Sequence, residues 1–151
     1  MRVVLQRVTE SSVKVNEKIV GAINKGICAL VGICNDDTEV DQDYIVNKLI
    51  SLRLWDFEGK SWNKSVVEKQ YEILLVSQFT LYAKTTKGSK PDFHNAMKSE
   101  RSQEFFNTFV DKLKVKYDPS KIQEGEFGAM MEVSIVNDGP VTIVLDSKEK
   151  K

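Results

Sequence analysis

The polar residues Ser77, Gln78 and Thr80 lie at one end of a strongly apolar segment, residues 72–81, and are well placed to do chemistry. A hydroxyl is a weak nucleophile near its free pKa, so Ser77 or Thr80 would need a general base within hydrogen-bonding distance. The single histidine, His94, lies in a polar loop, where a lone histidine is more often solvated than catalytic. Acidic residues are scattered over helices and turns. The sequence therefore favours neither a Ser-His-Asp triad nor a pair of catalytic carboxylates.

A second unusual feature is the pair Gly139-Pro140, which separates two strand-like runs, residues 131–136 and 141–145. Proline lacks an amide hydrogen and fixes its own φ, and X-Pro is nearly the only peptide bond that can be cis. On local sequence alone, a turn between two strands is the favoured interpretation, because most Gly-Pro pairs are only turns. The sequence does not determine the isomer of this bond.

The loop at residues 84–98 is rich in lysine, with Lys84, Lys87, Lys90 and Lys98. Lys plus Arg and Asp plus Glu both total 22, so the net charge gives no bulk attraction to nucleic acid and a polyanion would need a local basic patch. A solvated loop is the simpler interpretation, because lysine-rich loops are common. The position of these lysines directly after the polar strand end favours a loop that binds a sugar-phosphate backbone.

The sequence does not support a reactive cysteine, a zinc site, a phosphate-binding loop or a membrane span. Cys28 and Cys34 flank the apolar residues 27–33, where free cysteine usually behaves as a small buried hydrophobe. No Cys-x-x-Cys or His-x-x-x-His spacing indicates zinc, and the glycines of residues 26–32 lack the Lys-Ser/Thr ending of a phosphate loop. No apolar run approaches the ~20 residues of a membrane span. We expect a soluble cytoplasmic protein without metal, cofactor or membrane contact.

The elements that position these residues follow from hydrophobic periodicity. The capping residues Asn35-Asp36-Asp37-Thr38 predict a first helix through about Leu54, and Ser99 is expected to cap a second helix that ends near Asp118-Pro119. Residues 55–70 show no sustained period and predict a turn or hairpin connection of unknown role. The predicted strands are residues 2–8, 12–16, 18–24, 27–33, 72–81, 131–136 and 141–145.

The strands are mostly neighbours in sequence and only two helices are expected, which predicts an α+β fold. Its sheet should be curved, largely antiparallel and barrel-like, with the two main helices packed outside. A chain of 151 residues, 41% of them hydrophobic, fits one domain, here residues 1–147. Residues 148–151 are expected to form a disordered basic tail.

With both motifs considered together, the chain resembles the D-aminoacyl-tRNA deacylases, which free tRNA from mischarged D-amino acids. The resemblance covers residues 1 to about 146, and two motifs within a full-length match are far more specific than one. The matching segments are Ser77-Gln78-Phe79-Thr80-Leu81, Asn137-Asp138-Gly139-Pro140-Val141-Thr142, Met1-Arg2-Val3-Val4-Leu5-Gln6-Arg7-Val8, Lys87-Gly88-Ser89-Lys90-Pro91-Asp92-Phe93 and Phe127-Gly128-Ala129-Met130-Met131.

The resemblance implies a homodimer with its active site at the subunit interface. Gly139-Pro140, joined by a cis bond, would reach into the partner's site, where its carbonyls hold the substrate's amino group and exclude an L side chain. Asn137 and Met130 would contribute to this chiral selection. Enantiomers carry identical groups, so they must be separated by steric exclusion, and a rigid backbone excludes better than a flexible side chain.

The resemblance also implies that Ser77, Gln78, Phe79 and Thr80 line the pocket for the aminoacyl-adenosine end of D-aminoacyl-tRNA, with backbone amides as oxyanion donors. An aminoacyl ester is already activated, so positioning and oxyanion stabilisation with help from the terminal 2′-hydroxyl would suffice. Thr80 as an acyl-enzyme nucleophile is the competing account. Lys84, Lys87 and Lys90 are expected to bind tRNA. The alternative function is a non-catalytic nucleic-acid-binding module, and hydrolysis of glycyl-tRNA or of mischarged L-aminoacyl-tRNA is a third.

Overall fold

The computed structural model describes residues 1–149, which form eight strands, three α-helices and two short 3₁₀ turns. The strands are β1 (Arg2–Val15), β2 (Lys18–Ile23), β3 (Gly26–Gly32), β4 (Arg53–Phe57), β5 (Lys60–Ser65), β6 (Glu72–Ser77), β7 (Ile122–Glu124) and β8 (Glu132–Asp146). The helices are α1 (Glu39–Ser51), α2 (Val66–Lys69) and α3 (Ser99–Lys116), and the 3₁₀ turns are Phe79–Tyr82 and Pro119–Lys121.

The main sheet runs in the order β2-β1-β3-β6-β7, and β8 also pairs with β1. β1 is antiparallel to β2, β3 and β8, whereas β3, β6 and β7 are parallel to one another. At the far edges β2 meets β7, because a Cβ built on Gly21 would lie 2.4 Å from the carbonyl oxygen of Glu124. Only glycine allows that approach. The sheet is thus nearly closed, and the prediction of a barrel-like α+β fold is confirmed.

The core lies between this sheet and the helices. β3 is buried along almost its whole length, as its continuous apolar run predicts for a central strand flanked on both sides. Ile45 and Leu49 of α1, with Phe106 and Phe109 of α3, pack into the same core cluster as β1, β3 and β6. The two expected outer helices are therefore present, and α2 adds a single turn.

The helix boundaries differ in detail from those predicted. Thr38 caps α1 as expected, in a capping box where its N–H donates to the Asp41 carboxylate at 2.8 Å. However, α1 ends at Ser51, and Leu54 lies in β4. Ser99 is the first residue of α3 rather than its cap, since Lys98 occupies the N-cap position without a side-chain hydrogen bond. Both differences fall at helix ends, where a sequence pattern defines the boundary least accurately.

Two strands are longer than predicted, because each spans a pair of shorter predicted strands. β1 was expected as residues 2–8 and 12–16, and β8 as residues 131–136 and 141–145. Each is continuous because the two pair with each other along most of their length, and shifts in register absorb the irregular residues between the apolar runs. Gly139-Pro140 is accordingly not a turn between two strands. It lies within one strand.

The segment of residues 55–70, whose role the sequence left open, contributes β5, α2 and most of β4. β4 and β5 form a two-stranded antiparallel hairpin that is separate from the main sheet. Ser65 caps α2 in a capping box with Glu68. The prediction of a turn or hairpin connection is confirmed.

The ends of the described chain are joined by a charged cluster. The α-ammonium of Met1 lies 2.6 Å from the Asp37 carboxylate, and both groups are fully buried. Ser147 donates to Asp41 at 2.6 Å, and the Lys148 ammonium lies 3.0 Å from the same carboxylate. Lys148, which was expected to belong to a disordered tail, thus has a defined ion pair. Residues 150 and 151 lie outside the described part of the chain.

No helix within residues 1–149 is long and apolar enough to cross a membrane.

Candidate active site

The polar end of β6 leads directly into a 3₁₀ turn. Ser77 is the last residue of β6, and the Gln78 N–H donates to the carbonyl of Val31 at 2.8 Å, which extends the parallel pairing to β3 by one residue. Phe79 then begins the turn, in which the Ala83 N–H donates to the Thr80 carbonyl at 3.1 Å. The first N–H groups of such a turn have no partner inside it. N–H groups of this kind can stabilise an anionic oxygen.

The side chains of this turn provide no nucleophile-base pair. The Gln78 carboxamide lies 2.5 Å from the Thr80 hydroxyl and donates to it. A carboxamide is not a base, so this contact orients the hydroxyl without activating it. The ring of Phe79 is 55% exposed and forms an apolar surface at the mouth of the site.

His94 does not supply the missing base. Its ring contacts Asp92 within its own loop, and its side chain is 91% exposed. The backbone N–H of His94, followed by its side chain, lowers the pKa of the Asp92 carboxyl. Within residues 1–149 no hydrogen bond joins His94 to Ser77 or Thr80.

Tyr82, the titratable side chain of the turn itself, is equally unsuited to act as a base. Burial raises the pKa of its phenol, and the charges of Asp37 and Asp146 raise it further. The phenol therefore stays protonated at neutral pH. Its hydroxyl has no hydrogen-bond partner within the described residues, and the Arg2 guanidinium lies 4.7 Å from the centre of its ring.

The lysine loop is anchored beside Phe79. The backbones of Lys84 and Asp92 exchange two hydrogen bonds, of 2.8 and 2.9 Å, and close the loop at its base. Phe93 then packs edge-on against Phe79, with ring centroids 5.0 Å apart. Lys87 and Lys90 lie on the exposed tip between these anchors. The structure therefore places the basic loop next to the polar strand end, as its position in the sequence predicted.

Gly139 and Pro140 form an exposed bulge in β8. Gln6 is paired with Thr142 and Val8 with Asn137, so one residue of β1, Arg7, faces four residues of β8. The Gly139-Pro140 peptide bond is cis, and both residues are exposed. Asn137 immediately precedes the bulge and is also exposed. Met130, in the connection before β8, is 93% exposed, so its side chain contacts little of its own chain.

Three residues of β1 that the sequence reasoning did not single out connect these parts. Arg2 donates to the carbonyl of Leu81 at 2.9 Å and pairs with Asp146 at 3.2 Å, which links the 3₁₀ turn to β8. Gln6 donates to the hydroxyl of Thr142 at 3.2 Å. The third, Arg7, contacts the bulge itself. Their polarity within residues 2–8 of β1, which are otherwise apolar, was the available signal.

The two segments that carry the sequence motifs thus occupy different places on one chain. The 3₁₀ turn at Phe79–Tyr82 carries the free amides, and the bulge at Gly139 and Pro140 carries the exposed backbone. Within the described residues, no hydrogen bond, ion pair or ring contact joins Ser77–Thr80 to Gly139 or Pro140.

This barrel-like α+β fold is shared with two solved structures. One, described as a "c-Myc DNA Unwinding Element Binding Protein", is 50% identical, covers 97% of this chain and 98% of its own, and superposes with a TM-score of 0.93. The other, described as "a probable eukaryotic D-amino acid tRNA deacylase", is 19% identical and superposes with a TM-score of 0.83 over 95% of this chain and 97% of its own. That second likeness concerns the fold alone.

The chain belongs to the D-Tyr-tRNA(Tyr) deacylase family, whose model matches residues 4–146. A D-aminoacyl-tRNA deacylase of Drosophila melanogaster is 52% identical and covers all of this chain and 95% of its own. One of Dictyostelium discoideum is 49% identical over 99% of this chain and 100% of its own. Human D-aminoacyl-tRNA deacylase 1 is 51% identical over 97% of this chain and 70% of its own length. The resemblance noted from the sequence motifs is confirmed, and the family is one of hydrolases that act on ester bonds.

Proposed function

We propose that this protein hydrolyses the ester bond of D-aminoacyl-tRNA and releases free D-amino acid and tRNA. The observation that carries the proposal is a 3₁₀ turn, Phe79–Tyr82, whose leading amides face no base within the described residues, in a chain of this family. An aminoacyl ester is already activated and needs mainly positioning and oxyanion stabilisation. Such a site suits an ester and would not suit a stable amide.

In the proposed reaction the amides of Phe79 and Thr80 stabilise the oxyanion that forms as water attacks the ester carbonyl. The bond from that carbonyl carbon to the ribose 3′ oxygen then breaks, and the released oxygen takes up the proton that the attacking water loses. The 2′-hydroxyl of the terminal ribose assists this proton transfer, because the turn itself contributes only a carboxamide and a hydroxyl. Thr80 as nucleophile would need a base that its hydrogen bonds do not provide.

Chiral selection is assigned to Gly139 and Pro140 of a second copy of the chain. Two features support this dimer. The bulge is exposed and has no contact with Ser77–Thr80 of its own chain, and β8 is a 15-residue strand that pairs, among the described residues, on one side only, with β1. Exposed apolar residues lie in or near this strand, namely Met130, Val136 and Val144. In the dimer, the bulge closes the partner's pocket and leaves no room for an L side chain.

The lysine loop is assigned to the tRNA backbone. Lys84, Lys87 and Lys90 are exposed, and the loop that carries them is fixed at its base beside Phe79. Positive charge next to the pocket would hold the phosphates near the terminal adenosine while the chain as a whole stays neutral. Such a role places the protein in the cytoplasm, where aminoacyl-tRNA is used.

A second candidate is a nucleic-acid-binding module without catalysis. The solved relative described as a DNA unwinding element binding protein, 50% identical to this chain, is the observation in its favour. A binding module would require the lysine loop but neither the turn amides nor the Gly-Pro bulge.

The experiment that separates these functions compares hydrolysis of D-tyrosyl-tRNA, L-tyrosyl-tRNA and glycyl-tRNA by the purified protein. We expect rapid release of D-tyrosine, little release of L-tyrosine, and some release of glycine, which has no side chain to exclude. Equal rates for the two tyrosyl enantiomers would overturn the chiral filter. Binding of tRNA without any hydrolysis would favour the binding module.

A further inference from the structure

The β4–β5 hairpin presents an exposed aromatic residue that the proposed chemistry does not use. Trp62 of β5 is 57% exposed, whereas the other tryptophan, Trp55, is 6% exposed and packs edge-on against Tyr71. Trp62 also has a φ of 56°, a left-handed conformation that bulky residues rarely adopt and that costs free energy. A register shift between the pairs Trp55–Lys64 and Phe57–Lys60 places Trp62 in a β-bulge, which accounts for this conformation, and the exposed indole is left open to a ligand.

The hairpin is directly linked to the Gly-Pro bulge. One N–H group of Arg7 donates to the carbonyl of Leu54 in β4, and another donates to the carbonyl of Asp138 at 3.1 Å. A single guanidinium therefore joins the base of the hairpin to the residue before Gly139. At about 3.3 Å per residue, Phe57 at the far end of β4 lies about 10 Å from this junction.

The chemistry of the hairpin fits a nucleobase better than a phosphate. The hairpin contains three basic residues and two acidic ones, so its net charge is small. The basic residues are Arg53, Lys60 and Lys64, and the acidic ones are Asp56 and Glu58. The Lys64 ammonium lies 4.4 Å from the ring centre of Phe57 and covers one face of that ring. Trp62 remains as the open aromatic surface. Base stacking on such a surface tolerates any sequence, because every base has a π-face.

We infer that Trp62 is a stacking platform for a base of the unpaired 3′ end of tRNA, upstream of the terminal nucleotide. This inference rests on the proposed function, which places the terminal nucleotide at the Phe79 turn. The bulge of one subunit closes the partner's pocket, and the hairpin flanks that bulge. In this arrangement, the single-stranded 3′ end of tRNA that leaves the pocket passes the hairpin of the subunit whose bulge closes that pocket.

The test measures binding of uncharged tRNA by filter binding, and in the wild type also by quenching of tryptophan fluorescence. Stacking quenches Trp62 on addition of tRNA, while the buried Trp55 gives a constant reference signal. Trp62→Ala should raise the Kd for intact tRNA about tenfold, and Trp62→Phe should restore most of the affinity. Ile19→Ala, which removes a 55% exposed apolar residue from β2, should leave Kd unchanged. A tRNA that lacks its unpaired 3′ nucleotides should bind wild type and Trp62→Ala equally.

An unchanged Kd for intact tRNA in Trp62→Ala would overturn the inference. If that variant also forms a weaker dimer in sedimentation, Trp62 is an interface residue. Failure of the proposed function is separate: wild type would then not hydrolyse D-tyrosyl-adenosine. If the inference holds, Trp62→Ala hydrolyses this minimal substrate at the wild-type rate, because it lacks the upstream nucleotide.

Discussion

Arg7 donates through Nε to the carbonyl oxygen of Asp138 at 3.1 Å, and the same nitrogen lies 3.3 Å from the Asp138 carboxylate. The guanidinium is therefore bound to both the backbone and the side chain of the residue before Gly139. Because the Arg7 side chain is only 16% exposed, water cannot easily replace these contacts. Arg7 thus determines where the bulge of β8 lies relative to β1 and to the β4–β5 hairpin.

We therefore predict that Arg7→Met reduces chiral selectivity. Methionine has similar length but no donor, so two carbonyls lose a charged hydrogen bond, which costs about 1–3 kcal/mol. The ratio of D- to L-tyrosyl-tRNA hydrolysis should fall about tenfold, and the urea midpoint should decrease. Arg53→Met, which removes an exposed arginine of β4, is the matched control and should change neither quantity. An unchanged D/L ratio in Arg7→Met would show that the bulge holds its position without Arg7.

Thr80→Ala should retain most of the deacylation activity. The Thr80 hydroxyl accepts a hydrogen bond from Gln78 at 2.5 Å and has no basic partner within residues 1–149, so its removal leaves the turn amides in place. We expect kcat to fall less than tenfold, as measured in single-turnover hydrolysis of D-tyrosyl-tRNA. Thr80→Ser, which keeps the hydroxyl, serves as control. A near-total loss in Thr80→Ala alone, with folding and tRNA binding intact, would establish Thr80 as the nucleophile.

The substrate itself offers the complementary test. If the terminal 2′-hydroxyl assists proton transfer, tRNA ending in 2′-deoxyadenosine and charged on the 3′ oxygen should be hydrolysed about 10²-fold more slowly or worse. The binding constant should change little, since one hydroxyl is a small part of the contact with tRNA. Equal rates for the ribose and deoxyribose substrates would contradict the RNA-assisted mechanism and direct attention back to protein groups.

The sequence predicted those parts of the fold whose signal is local. The apolar run of β3 and the capping residues before α1 are read directly from neighbouring residues. The continuity of β8 is different, because it exists only through pairing with β1, more than a hundred residues earlier. The roles of Arg2 and Arg7 were missed for the same reason. Their partners, Leu81 and Asp138, are close to them in space but far from them in the sequence.

The lysine loop should affect binding of tRNA and not the chemical step. In the double variant Lys87→Gln and Lys90→Gln, KM for D-tyrosyl-tRNA should rise while kcat stays constant. The dependence of log Kd on log salt should weaken by about one for each phosphate that the variant no longer binds. Lys18→Gln, on an exposed part of β2, is the control for a general loss of charge. A lower kcat with an unchanged salt dependence would instead assign the loop to positioning of Phe79 through Phe93.

Ser147→Ala should destabilise the protein at neutral pH and should do so less as the pH falls below 4. Burial would raise the pKa of the Asp41 carboxyl, but hydrogen bonds from Ser147, the Thr38 N–H and Lys148 outweigh it and lower that pKa below its usual value of 3.8. A pKa lowered in the folded state adds stability above pH 3.8, and this stability is lost as the pH falls further. Without the Ser147 hydroxyl the folded pKa rises towards the unfolded value, and a buried carboxylate loses a donor at a cost of about 1–3 kcal/mol.

The free energy of unfolding in urea at pH 7 should therefore fall by about that amount in Ser147→Ala. Because the folded and unfolded pKa values of Asp41 lie closer together in the variant, the difference from wild type should shrink between pH 4 and pH 2. Ser134→Ala, on an exposed position of β8, is the matched control and should change neither the free energy nor its pH dependence. A Ser147→Ala deficit of the same size at every pH would mean that the hydroxyl stabilises the fold through the hydrogen bond that it accepts from the Met1 ammonium at 2.5 Å, and that Asp41 keeps its lowered pKa through Thr38 and Lys148.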